Sequence, residues 1–213
     1  MLKGNGLANL RISKKKFIYL ISPNKISKLF YKNLDIILKN GNVGLFQLRL
    51  KYHTYKKKIY IGKKIRDICR KNNVIFLVND DPLLALKLDA DGCHLGQKDM
   101  NIKKARKIIG KKIIGITCHN SLNLAKKGIR NGANYLAFGA FNSSITKKTN
   151  YIADPKILQK VKKITTIPTV AIGGINSENY KNLLLNNANF LAISGYIWKN
   201  KNYKPLQAIE KIK

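Results

Sequence analysis

The stretch QLRLK places Gln47, Arg49 and Lys51 at i, i+2 and i+4. In an extended chain side chains alternate between faces, so these three project together and Leu48 and Leu50 project opposite. One amide and two cations make a poor core. A solvent-facing row is the plain alternative, but if the leucines meet covering helices the cations turn inward or upward, where they suit an anionic ligand such as a diphosphate. The acidic residues are informative because they are scarce. Five of the ten, Asp80, Asp81, Asp89, Asp91 and Asp99, fall in one short window. Asp89 and Asp91 read as structural residues of a turn, and Asp81 beside Pro82 as a helix cap. Asp80, following Asn79, and Asp99 in HLGQKD remain, and two carboxylates with substrate phosphate oxygens are a usual way of holding Mg²⁺. Helix caps are the alternative reading for such a pair. Gly173 with Gly174, and Ile193 with Ser194, each close an apolar run. Backbone N–H groups at such ends can hold a phosphate, and glycine lets an anion approach closely. Lys147, with Ser144 and Thr146, sits in the polar segment 142–155 and can close over an anionic substrate. Together these features predict two anionic groups, one of them held by Mg²⁺.

The elements that must position them are read from periodicity. Short apolar runs begin at Phe17 (FIYLIS), Val43 (VGLFQLRL), Val74 (VIFLVN), Gly92 (GCHLG), Ile113 (IIGITCH), Tyr135 (YLAFGA), Thr169 (TVAIGG) and Phe190 (FLAISGYI). Between them lie Lys-rich stretches with apolar residues at helical spacing, such as YKKKIYIGKKIRDICRK. Near-continuous apolar strands alternating with helices imply βα units and a parallel sheet covered on its faces. Eight such units predict an α/β fold, a (β/α)8 TIM barrel, with a doubly wound open sheet as the alternative. In this fold reacting groups sit at the C-terminal ends of strands, where the residues above fall. No linker interrupts the pattern, so residues 1–213 read as a single barrel domain, with residues 1–15 a basic N-terminal tail or cap. Segment 142–155 has no helical periodicity and reads as a mobile loop after strand six.

Composition bounds the function less sharply. The chain has 213 residues with 42 Lys and Arg against 10 Asp and Glu, a net charge of +32, and an apolar fraction of 45% that suffices for a core. Such a field attracts nucleic acid, acidic membrane or phosphorylated small molecules, or merely decorates a solvated surface. The excess is mostly Lys and accompanies abundant Asn and Ile. All three have A/T-rich codons, so genome bias alone can produce the pattern. Basic residues are scattered rather than gathered on a face or arm. Cys69, Cys93 and Cys118 are far apart and odd in number, which excludes a disulfide framework or zinc site. The opening residues lack a signal-peptide core and no stretch has the length of a membrane span, so a reduced, cytoplasmic setting is expected.

QLRLK, VNDDP, DGCHLGQKD, GITCHN, SITK, TVAIGGIN and AISGYI, in this order and spacing, resemble the thiamine phosphate synthase family from strand one through strand eight. The resemblance implies a transferase on a (β/α)8 barrel. It would join a hydroxymethylpyrimidine diphosphate to a thiazole phosphate, giving thiamine phosphate and pyrophosphate with Mg²⁺. It implies that Gln47, Leu48, Arg49, Leu50 and Lys51 bind the pyrimidine diphosphate, with Asn79, Thr117 and Lys147. Asp80 and Asp99 would ligate Mg²⁺. Ser144, Ile145, Thr146, Gly174, Ile193 and Ser194 would hold the thiazole phosphate. Thr117 and Ser144 exchange one hydroxyl residue for another, Lys98 stands where the family often has an acid, and Asp81 where it often has a base.

Two rivals remain at this level. A thiazole tautomerase-like relative on the same fold would use a general base, with His119 the candidate, and no metal; His94 reads as a satisfied core histidine. A nucleic-acid-binding protein would exploit the Lys excess, but neither an aromatic stacking array nor a binding module is recognisable. The expected partners are therefore phosphorylated small molecules, with neither nucleic acid nor membrane.

Overall fold

The computed structural model describes residues 16–143 and 152–213. The expected tail, residues 1–15, lies outside the described residues. Eight parallel strands close into a barrel in sequence order. They are β1 (Ile18–Ile21), β2 (Val43–Leu48), β3 (Ile75–Asn79), β4 (Gly92–Leu95), β5 (Ile113–His119), β6 (Tyr135–Phe138), β7 (Thr169–Ile172) and β8 (Phe190–Ile193). Around them lie α1 (Lys28–Asn40), α2 (Tyr55–Lys71), α3 (Pro82–Lys87), α4 (Ile102–Ile109), α5 (Leu122–Arg130), α6 (Lys156–Lys162), α7 (Tyr180–Leu185), α8 (Gly195–Trp198) and α9 (Pro205–Glu210). Among the described residues no helix is long and apolar enough to cross a membrane.

The period-two alternation divides the core into two layers. Outward residues such as Ile18, Leu20, Phe46, Leu48, Phe76 and Val78 are buried against the helices. Inward residues Tyr19, Leu45, Leu77, Tyr135, Ala137, Val170, Phe190 and Ala192 fill the lumen. Helix starts at the C-terminal mouth are set by polar caps. Ser27, Thr54, Asp81, Asn101 and Ser121 each accept from a backbone N–H three residues on, which satisfies a donor that the first turn leaves unpaired.

β2 stops earlier than its apolar run suggests, and β8 stops where Ile193 and Ser194 mark its end. The run from Val43 continues to Leu50, but β2 ends at Leu48 because the hydroxyl of Ser22 takes the Arg49 N–H at 2.8 Å in place of a neighbouring strand. FLAISGYI breaks at Ser194, after which GYIW forms α8. Both breaks lie at the mouth and turn the following residues over it.

Three acids are structural, as their positions suggest. Asp81 caps α3 through Leu84 N–H, and Asp91 accepts from Phe76 N–H at 2.7 Å. Asp89 pairs with Arg70 at 2.6 Å and Lys112 at 3.1 Å. Asp80 and Asp99 are left for the site.

Candidate active site

β2 and the turn after it deliver their side chains to three destinations. Gln47 points into the lumen, buried, and its Nε2 donates to the Tyr19 hydroxyl at 2.7 Å. Leu48 and Leu50 are buried in the outer layer, and they also wall one cavity of about 490 Å³. Arg49 lines a different cavity of about 460 Å³. Lys51 lines the former and brings Nζ to 3.6 Å from Asp80 Oδ2. Volumes of this size are those of small-molecule sites.

The cavity at Lys51 is also lined by Asn79, Asp80 and Asp99. Asp80 has φ of +65°, and its N–H donates to His94 O at 2.8 Å, which bends the chain out of β3. Asp99 reaches back over its own turn to accept from Gly96 N–H at 2.7 Å. Burial pushes the Asp80 carboxyl above its ordinary range, and the neighbouring carboxyl of Asp99 adds to the shift, while Lys51 and Arg49 oppose it. Two adjacent carboxylates that resist sharing negative charge are a place where a cation is favoured. Hard oxygen donors suit Mg²⁺, which completes its shell with phosphate oxygens and water. The residues therefore fit the ion.

The cavity at Arg49 is lined by Thr117, Gly174, Ile193 and Ser194. Gly173 and Gly174 have φ of +94° and +62°. A Cβ on Gly174 would meet Ser143 O at 2.3 Å, so only glycine lets the turns after β6 and β7 lie this close. Those turns are joined by Phe141 N–H to Ile172 O at 3.1 Å and Asn142 N–H to Gly173 O at 3.2 Å. Ser144, Ile145 and Thr146, expected at the thiazole phosphate, and Lys147, expected at the diphosphate, lie outside the described residues, as does most of the expected mobile loop.

Sequence reasoning passed over several residues that line the same cavity. Ser143, Asn176, Tyr196, Lys199 and Lys201 are among them. Lys199 and Lys201 were indistinguishable from the general Lys excess, and Tyr196 belonged to a run read as strand. The buried Tyr196 hydroxyl finds no hydrogen-bond partner among the described residues. His119, the tautomerase candidate, lines the cavity too, with φ of +53°.

His94 is a satisfied core histidine. Its Nδ1 meets the Tyr135 hydroxyl at 2.8 Å and its Nε2 the Thr117 hydroxyl at 2.9 Å. Burial pushes the imidazole down from 6.5 to about 4. Below pH 6.5 the unfolded chain takes up a proton that the folded one refuses. Stability should therefore be complete above pH 6.5, fall as the pH drops toward 4, and level off below, a loss of about 3 kcal/mol at most. In thermal melts across this window, His94→Gln should flatten the slope relative to wild type. Parallel curves for the two proteins would refute this assignment.

Comparison with known proteins points to one family. The family model described as thiamine monophosphate synthase matches residues 18–197. The chain is 64% identical over 200 residues to the thiamine-phosphate synthase of Pelagibacter ubique strain HTCC1062, covering 93% of this chain and 97% of that one. It is 39% identical over 196 residues to the thiamine-phosphate synthase of Erythrobacter litoralis strain HTCC2594, covering 90% and 92%. Among solved structures, a thiamine phosphate pyrophosphorylase from Pyrococcus furiosus superposes with a TM-score of 0.82 at 29% identity, over 95% of each chain.

Proposed function

Because the chain belongs to the thiamine monophosphate synthase family and is a transferase, we propose that it joins 4-amino-2-methyl-5-(diphosphooxymethyl)pyrimidine to thiazole phosphate by a dissociative route. The C–O bond between the pyrimidine methylene and the diphosphate breaks, and the electron pair leaves on oxygen. The thiazole nitrogen captures the pyrimidine-stabilised methylene cation, giving thiamine phosphate and pyrophosphate. The observation that carries this reading is the division of the mouth. Lys51, Asn79, Asp80 and Asp99 line one cavity, and Arg49 and Thr117, also read as diphosphate residues, line the other with Gly174 and Ser194, which would bring the two substrates to one place.

Such a reaction needs no side-chain nucleophile. It needs positive charge where the leaving group gains negative charge, and an aligned acceptor. Arg49 and Lys51 supply the charge from the turn after β2, with Lys147 from the segment that follows Ser143. Asp80 and Asp99 would hold Mg²⁺, which as a Lewis acid would draw charge from the diphosphate oxygens. Gly174, Ile193 and Ser194, with residues 144–146, hold the acceptor phosphate. Tautomerisation has no use for the Lys51, Asp80 and Asp99 cluster, which favours the synthase. We assign the site cations to phosphorylated small molecules rather than nucleic acid, and the protein to the cytoplasm. Supporting the latter, Cys69, Cys93 and Cys118 are buried free thiols, and burial pushes Cys93 and Cys118 up to about 12, which leaves them unreactive.

The test is to mix purified protein with the two phosphorylated halves, with and without Mg²⁺, and measure thiamine phosphate and pyrophosphate. Equal amounts of both, dependent on metal, are expected. Absence of product overturns the function, and undiminished product in chelator overturns the metal. Lys147→Ala should lower turnover more than it weakens substrate binding. Wild-type turnover would remove Lys147 from the scheme.

A further inference from the structure

The lumen holds an unbroken series of hydrogen bonds that crosses the barrel beneath the mouth. Gln47 Nε2 lies 2.7 Å from the Tyr19 hydroxyl, which lies 2.9 Å from the Tyr135 hydroxyl. The Tyr135 hydroxyl lies 2.8 Å from His94 Nδ1, and His94 Nε2 lies 2.9 Å from Thr117 Oγ1. The five residues come from β2, β1, β6, β4 and β5. Tyr19 and Tyr135 are at most 1% exposed, Gln47 and His94 under a tenth, so water does not stand in for a missing partner. Thr117 alone reaches the cavity at Arg49.

Proton counting gives this series a direction. The Gln47 amide nitrogen can only donate, so the Tyr19 oxygen accepts from it. Tyr19 has one proton, and directing it to the Tyr135 oxygen leaves no buried hydroxyl proton unpaired. Tyr135 in turn donates its one proton to His94 Nδ1. With Nδ1 accepting from Tyr135, the His94 ring carries its single proton on Nε2. That proton goes to Thr117 Oγ1. The threonine hydroxyl, having accepted, keeps its own proton for another partner. We propose that Gln47, Tyr19, Tyr135 and His94 are positioning residues, a directed relay that presets Thr117 as a hydrogen-bond donor into the cavity, aimed at an anionic oxygen of the bound substrate.

This deepens the proposed function and rests on it for the identity of the oxygen. A donor fixed before substrate arrives needs no reorientation as charge develops, which is how a neutral hydroxyl contributes to turnover rather than to binding alone. The series also explains why two tyrosine hydroxyls, an amide and an imidazole occupy a lumen whose other residues are mainly Leu, Ile, Val, Phe and Ala. Buried polar groups are tolerated there because every member is satisfied. His94 and Tyr135 further support one another by stacking, with ring centroids 5.5 Å apart and planes at 20°.

Nitrogen NMR of the imidazole side chains in the full-length wild-type protein at neutral pH tests the direction without any turnover. The expected result is a neutral His94 with the proton on Nε2. A proton on Nδ1, or on both nitrogens, would overturn the relay. Because this readout needs no substrate, failure of the synthase assay and failure of the relay are separate results.

Kinetics test the consequence. Thr117→Val and Tyr135→Phe should each lower kcat about tenfold, with KM for both substrates within about twofold. The double variant should be no slower than Thr117→Val, since both substitutions remove the same donor. Multiplicative losses in the double variant would show that Tyr135 acts through packing instead, and would overturn its positioning role. Should Tyr135→Phe fail to fold, His94→Gln takes its place in the cycle under the same two outcomes.

Discussion

Asp80→Asn should reduce turnover by about 100-fold or more while leaving the protein as stable as wild type or slightly more so. The first half follows from the charge at the mouth. Asp80 and Asp99, with Asp81 that caps α3, are the carboxylates lining the cavity that also holds Lys51. On the proposed Mg²⁺ site, loss of Asp80 would leave the ion with half of its proposed protein ligands, and an electrostatic contact to a developing charge is commonly worth this much. The second half follows from the Asp80 carboxyl being pushed up by burial and by Asp99. Its charged form is less favourable in the folded protein than in the unfolded one. Stability contributed by such a group is present at low pH and lost as the pH rises past its raised value, so at neutral pH the charge is a burden that asparagine removes. Asparagine also tolerates the positive φ of 65° at this position, and the backbone bond from residue 80 to His94 O does not involve the side chain. The measurement is a pair: kcat at saturating Mg²⁺, and melting temperature with and without the ion. Mg²⁺ should raise the melting temperature of wild type and not of the variant. Wild-type turnover, or equal stabilisation of both proteins by the ion, would remove Asp80 from the metal.

What could be read ahead of the structure was whatever depends on near neighbours in the chain. Period-two apolar runs such as VIFLVN and TVAIGG mark strands because alternation is local. Asp81 beside Pro82 marks a helix start for the same reason, a side chain three residues from the N–H that it caps. The site was legible to the extent that strand ends share one rim, which brings Lys51, Asp80 and Asp99 together from three loops. What escaped depends on pairings across the barrel. Ser22 ends β2 from the end of β1, twenty-seven residues away from Arg49. Gln47 reads in sequence as a ligand contact beside Arg49 and Lys51, and its bond to the Tyr19 hydroxyl appears only once the barrel closes. Tyr19 and Tyr135 carry polar tips that in a strand pattern suggest a surface position, and only the closed barrel sets their hydroxyls 2.9 Å apart.

Gly115→Ala is expected to destabilise the protein by about 3 kcal/mol or more and to disable the site with it. Gly115 sits in the middle of β5 with ordinary backbone geometry, so a turn or a positive φ does not explain it. The reason is space. A Cβ at this position would lie 1.9 Å from Cζ of Tyr135 and 2.3 Å from the two ring carbons beside it. The phenol ring lies across the strand backbone where any other residue would place a side chain. Relief by rotating Tyr135 is blocked, because the ring is fully buried and its hydroxyl is held between Tyr19 and His94. Overpacking a rigid core by a methyl group typically costs about 1 to 3 kcal/mol. Here the same displacement also strands buried hydroxyls, whose lost hydrogen bonds add about 1 to 3 kcal/mol each. The two costs fall on one contact, so they should be relieved by one change. Tyr135→Phe removes the hydroxyl but keeps the clashing ring, and should not rescue Gly115→Ala. Tyr135→Leu opens the space and should recover a large part of the melting temperature, without recovering turnover, because Thr117 would still lack its oriented partner. Denaturant melts of the single and double variants measure the first effect and the synthase assay the second. Near-wild-type stability of Gly115→Ala alone would mean that the lumen yields where its packing says that it cannot.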